Sequence, residues 1–154
     1  MAKRFTEADT IDQVLQQVAR TREELSRLTS GKQDPEITLT ALSIETYLAN
    51  KSILALRETL LLSLSWSECR TVENQWLTDA VLCAISTTLF DILKQLDEYE
   101  HPRSSKSSLR FLSREKPKAK TAELQTSLDR LREQNSAFQC VLGHFEMYAF
   151  LKSP

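Results

Sequence analysis

Along most of the chain, apolar residues recur three and four positions apart, the spacing that lines one face of an α-helix. Ile11, Val14, Val18, Leu25 and Leu28 form one such stripe, with Thr21 as its polar member. Thr10 and Gln13 have capping-box spacing and Gly31 can relax into a left-handed cap, so a first helix is expected from near Thr10 to just before Gly31. Asp34-Pro35-Glu36 supplies an N-cap, a proline at the first helical position and an acid at the positive end of the dipole. A second helix should run from there to about Leu62. Its stripe reads Ile37, Ala41, Ile44, Leu48, Ala55 and Leu62, widened by Ile53, Leu56 and Leu60, as for a central helix with more than one neighbour.

Serines at 63, 65 and 67 interrupt the pattern, and Ser65 with Glu68 repeats the capping-box spacing. A third helix is expected from about Glu68 to Tyr99, burying Val72, Trp76, Cys83, Leu89, Phe90, Leu93 and Leu96. Trp66, in the serine-rich turn, suits either a lid on the end of the bundle or a partner contact. A basic, serine-rich connection follows over about 100–120, with Leu109 to Ser113 able to add a helical turn and Lys116-Pro117 read as a further break. The last helix, about Thr121 to Leu151, carries a heptad of Leu124, Leu128, Leu131, Asn135, Phe138, Leu142, Phe145 and Ala149. Asn135 either fixes register in that seam or faces a neighbouring backbone or water.

Four long amphipathic helices predict an all-α fold, an antiparallel bundle forming a single domain over residues 1–154. Composition agrees. Two glycines and four prolines in 154 residues leave little for hairpins or phosphate-cradling loops. The longest apolar stretch, Val81 to Leu93, is interrupted by Ser86, Thr87, Thr88 and Asp91, so no membrane-crossing helix is expected. Three cysteines, Cys69, Cys83 and Cys140, are an odd, scattered set behind the charged start Met1-Ala2-Lys3-Arg4, which favours a reducing, cytoplasmic setting.

A search for chemistry returns no catalytic constellation. Gly31 and Gly143 stand alone, so no nucleotide loop exists. His101 and His144 are far apart, and Cys140 with His144 is an i, i+4 pair without further ligands, with Cys140 read as a core thiol. No cofactor, metal or small-molecule substrate is expected. Charge is segregated instead: between His101 and Lys120 seven basic residues face one acid, a local +6 that leaves −7 elsewhere for a net charge of −1. Arg103, Lys106, Arg110, Phe111, Arg114, Lys116, Lys118 and Lys120 are therefore candidate contacts to an anionic partner or a lipid surface, peripheral at a membrane. Ser104, Ser105, Ser107 and Ser108 are candidate phosphorylation sites, because phosphate there would cancel much of that charge. The alternative is a solubilising loop packed against the bundle's own acidic helix ends. Nucleic acid fits poorly, with only Phe111 available for stacking.

Leu89-Phe90-Asp91-Ile92-Leu93-Lys94-Gln95-Leu96-Asp97-Glu98-Tyr99, the basic connection with Leu109-Arg110-Phe111-Leu112, and Leu128-Asp129-Arg130-Leu131-Arg132-Glu133-Gln134 within Leu124 to Leu142 resemble the fungal HeLo-like N-terminal domains. Ile44 to Leu48 and Leu56 to Leu60 are similar to that family's second helix. The resemblance spans about residues 37 to 150. It implies a non-enzymatic bundle at the N-terminal end of a longer protein, acting in immune-like signalling or regulated cell death through helix-face contacts with itself or a protein partner. The polar N-terminus, lacking the apolar, glycine-containing segment of members that permeabilise membranes, points to an adaptor or sensor version.

Overall fold

The computed structural model describes residues 7–31, 36–62, 72–100 and 116–152, with side chains described for most of each helix. Four α-helices account for nearly all of these residues: α1 (Glu7–Thr29), α2 (Ile37–Leu62), α3 (Val72–Glu100) and α4 (Lys116–Lys152). The chain is an all-α helical bundle. Expected boundaries hold to within a few residues for α1 to α3, whereas α4 begins earlier than expected. Lys116-Pro117 is its first turn and not a break, because proline needs no amide partner there and its fixed φ suits helix entry. Gly31 closes α1 with φ +78° just after the Ser30 amide bonds the Ser26 carbonyl at 2.9 Å.

Successive helices run antiparallel, yet they are not neighbours in simple rotation. The packed pairs are α1 with α2, α2 with α4, α4 with α3, and α3 with α1. Cross-helix bonds give the directions. Gln17 of α1 accepts from Ser86 of α3 at 2.7 Å and Arg27 pairs with Glu100, so α1 and α3 lie parallel. Gln125 accepts from Thr38 at 3.5 Å and Gln139 donates to Ser52 at 2.6 Å, so α2 and α4 also lie parallel. Ser127 donates to Gln95 and Arg130 pairs with Asp91, which makes α3 and α4 antiparallel. Helices α2 and α3, consecutive in sequence, therefore face each other across the core.

The core is one continuous cluster drawn from all four helices, with Leu25, Ile53, Leu89 and Leu131 fully buried among its members. The α1 stripe is inside as expected, including Thr21, whose hydroxyl donates to the Gln17 carbonyl at 2.8 Å. The α4 heptad is inside from Leu124 to Phe145. Asn135 donates to the Glu45 carbonyl and to the Glu45 carboxylate, both at 2.9 Å, so it does face a neighbouring backbone and ties α2 to α4 at one level. Thr88 Oγ1, Gln134 Oε1 and Asn135 Oδ1 are buried without a hydrogen-bond partner among the described groups.

Two stripes are corrected. In α2 the buried side is Thr38, Leu39, Leu42, Thr46, Ala49, Ser52, Ile53 and Leu56, while Ile37 (85%), Ile44 (55%) and Leu48 (42%) are exposed. Ala41 and Ala55 sit at the margin. The inner face tolerates its hydroxyls because they are satisfied in place: Thr46 bonds back to the Leu42 carbonyl at 2.7 Å and Ser52 accepts from α4. In α3 the buried side is Thr78, Leu82, Ile85, Thr88, Leu89, Ile92 and Leu96. Trp76 (68%), Cys83 and Phe90 (62%) are exposed and Leu93 is half-buried, contrary to expectation. Both helices are apolar on two faces, so the spacing rule admits two rotational settings and cannot choose between them.

This rotation is checked by truncation on each side of α2. Leu42→Ala should lower unfolding stability by about 2–5 kcal/mol, as for a core leucine, whereas Ile44→Ala should change it by less than about 1 kcal/mol in the same denaturant titration.

Candidate interaction faces

Apolarity on two faces has a direct structural consequence: α2 and α3 keep large apolar side chains outside after their inner faces are buried. On α2, Ile37, Ile44, Tyr47, Leu48 and Leu54 are exposed, interleaved with Ala41, Lys51 and Ala55. On α3, Trp76, Ala80, Cys83, Thr87 and Phe90 follow one another at intervals of four and three along the exposed side, the spacing of a coiled-coil seam. The smaller Ala80, Cys83 and Thr87 lie between Trp76 and Phe90, and Cys83 and Thr87 line a groove shared with Gln13, Gln17 and Arg20 of α1. The two faces lie on opposite sides of the bundle, because α2 and α3 are diagonal. Along α1 and α4 the exposed positions are mainly Asp, Glu, Gln, Ser, Thr and Arg, with Met147 the one large apolar side chain exposed at 65% among the described residues of these two helices.

By length and composition, Trp76–Glu100 is apolar enough to cross a bilayer, whereas the shorter, interrupted run Val81 to Leu93 led to no such expectation. A third of that window is buried in the bundle, and the rest of its apolarity is shared between half-buried Val81, Ala84 and Leu93 and exposed residues such as Leu77, Cys83 and Phe90.

The rims of the two faces differ in charge. Lys51 and Arg22 both stand over the Tyr47 ring, at 5.4 and 5.5 Å from its centroid, giving the α2 face a cationic edge with Glu58 toward its far end. The α3 face carries Asp79, Asp91 and Asp97 beside Lys94, with Arg20 of α1 lining the same grooves as Asp79 and Asp97 and Asp91 paired with Arg130 at 3.3 Å, so its rim is of mixed sign.

The bundle end where α1 and α3 finish and α2 and α4 begin is acidic and tightly tied. Glu36 accepts hydrogen bonds from the Tyr99 and Thr121 hydroxyls, each at 2.9 Å, joining three helices. Arg27 bonds Glu100 and Glu24, and these acceptors hold its guanidinium further above its already high pKa. Burial, then the hydrogen bond and charge of Glu36, push the Tyr99 phenol above its usual value.

Of the basic and serine positions singled out in the sequence, Arg103, Ser104, Ser105, Lys106, Ser107, Ser108, Arg110, Phe111 and Arg114 lie outside the described residues, as does Trp66. Lys116, Lys118 and Lys120 fall in the first turns of α4, beside the acidic end where α3 finishes. Cys140, expected in the core, is exposed on the outer side of α4, one turn before exposed His144. Among the described residues no group of three or more His, Cys, Asp or Glu is placed to hold a metal ion. What sequence reading missed is the pair of outer faces, although the 76–80–83–87–90 spacing was present to be found.

The raised Tyr99 value carries a pH dependence. A proton held more tightly in the folded state stabilises fully below pH 10, the phenol's ordinary value, and that contribution is lost as pH rises through the higher folded value. Wild type should therefore lose stability in this alkaline range, and Tyr99→Phe should flatten that part of the decline in parallel denaturant titrations. These contacts have no counterpart to be compared with, since no protein-family model, no curated protein and no solved structure matches this chain.

Proposed function

We propose that the chain is a non-enzymatic, cytoplasmic interaction module that works by helix-face contacts, in the manner the HeLo-like resemblance implies for signalling domains of fungal immune-like or regulated cell-death proteins. One observation carries the reading: α2 and α3 leave Ile44, Leu48, Trp76 and Phe90 in solvent while α1 and α4 present mainly polar surfaces. Each is already partly covered, so burying the remainder is worth roughly half of the about 1.5–3 kcal/mol of a full burial, and exposed apolar surface of this kind marks contact sites.

A photo-crosslinking amino acid at Thr87 or Lys51, both exposed, should yield covalent protein adducts in cells, and the same group at Glu133 on the outer side of α4 should not. Equal labelling at all three positions, or none, sinks the reading.

The +6 stretch between His101 and Lys120 supports a second role, peripheral docking on anionic lipid. Sedimentation with vesicles rich in anionic lipid should then occur at low salt and weaken with added salt or with joint Lys116→Ala, Lys118→Ala and Lys120→Ala changes. Failure to sediment at low salt removes this role.

A further inference from the structure

The geometry points to an internal binding site for one water molecule between α3 and α4, held by the Thr88 hydroxyl and by the side-chain oxygens of Gln134 and Asn135. The inference goes beyond the interaction-module reading and does not depend on it.

The three atoms belong to one level of the bundle. Ser127 opposes Gln95 and Arg130 opposes Asp91, successive rungs of the antiparallel α3–α4 pair. The next rung, three residues back from Asp91 and four on from Arg130, sets Thr88 opposite Gln134. Thr88 shares the α4-facing side of α3 with Asp91 and Gln95, and Gln134 shares the α3-facing side of α4 with Ser127 and Arg130. Asn135 is the next residue along, its amide nitrogen already committed to Glu45.

All three atoms are shut away from solvent without a hydrogen-bond partner among the described groups, in a fully buried Thr88, a half-buried Gln134 and an Asn135 only 6% exposed. Buried polar atoms are nearly always satisfied by protein or by ordered water, and three orphans at one level share the same remedy. Thr88 also departs from the habit of its neighbours. Thr21, Thr46 and Thr87 each donate to the carbonyl four residues earlier, whereas Thr88 does not, which leaves its hydrogen for the site.

Donor and acceptor numbers select water. The two side-chain oxygens are acceptors and cannot bond each other, and the Thr88 hydroxyl has one hydrogen for the two of them. A water molecule has two hydrogens for the two oxygens and a lone pair for the Thr88 hydroxyl, making the three bonds typical of buried water. A shift of α3 by one turn along α4 would bring Thr88 level with buried Leu131 or Phe138 and strand the same atoms, so the hydrated site and the observed register stand together.

The test is a crystal structure of the full 154-residue chain at a resolution that shows ordered water, joined to denaturant titrations of Thr88→Val, Gln134→Leu and the two combined. One ordered water should lie within hydrogen-bond distance of Thr88 Oγ1, Gln134 Oε1 and Asn135 Oδ1. Thr88→Val keeps the side chain's size and should lower the folding equilibrium constant by about fivefold or more, because the side-chain oxygens are then left poorly served. The combined change should fall short of the product of the single effects by about threefold or more, since both act on one water. Thr88→Ser, which retains the hydroxyl, should retain that coupling. Circular dichroism checks that each variant is helical, and Thr88→Ala replaces Thr88→Val if it is not.

A Thr88 hydroxyl bonded to the Ala84 carbonyl, or directly to Gln134 with no water beside it, would overturn the inference. So would a Thr88→Val chain more stable than wild type, the result expected of a hydroxyl buried alone, or single effects that simply multiply.

Discussion

Each helix of a four-membered ring can turn only one face toward the common core, and α2 and α3 have two apolar faces to dispose of. That mismatch between what the helices offer and what one core can bury governs the rest of the molecule. The inner faces close around Leu25, Ile53, Leu89 and Leu131, and the outer ones are left in water. Because α2 and α3 sit diagonally, the surplus appears on two opposite flanks and not as one patch. The other diagonal, α1 and α4, carries most of the exposed charge.

Register among the helices is fixed by polar contacts between them as well as by the interdigitated aliphatic core. Glu36 gathers Tyr99 and Thr121, Asn135 reaches the Glu45 backbone, Gln139 reaches Ser52, and Ser86 and Ser127 find Gln17 and Gln95. Each such bond contributes about 1 kcal/mol when made and costs more when one partner is buried alone. They also explain the hydroxyls on buried faces. Thr21, Thr46 and Ser52 count as polar interruptions in a periodicity, yet each is satisfied by a carbonyl one turn back or by a side chain from the facing helix.

The parallel packing of α1 on α3 and α2 on α4 has a cost as well as a use. Like helix ends are brought together, and the acidic end of the bundle is tied by Arg27 and by the Glu36 hydrogen bonds. The same arrangement starts α4 beside that acidic end, so Lys116, Lys118 and Lys120 follow the acids of α3 at the mouth of the most basic part of the sequence.

The sequence by itself determined that the chain forms four helices, near which residues they start and stop, and which sides of α1 and α4 face inward. In those two helices polar residues occupy one side and apolar residues the other, so a single rotation satisfies both water and core. The rotations of α2 and α3, and the diagonal order of the bundle, were decided only in the tertiary structure. Leu42 and Ile44, or Leu89 and Phe90, are equally apolar. What selects between them is which side chains interdigitate with the three other helices and which hydroxyls find acceptors there, and both are properties of the assembled core that no single helix contains.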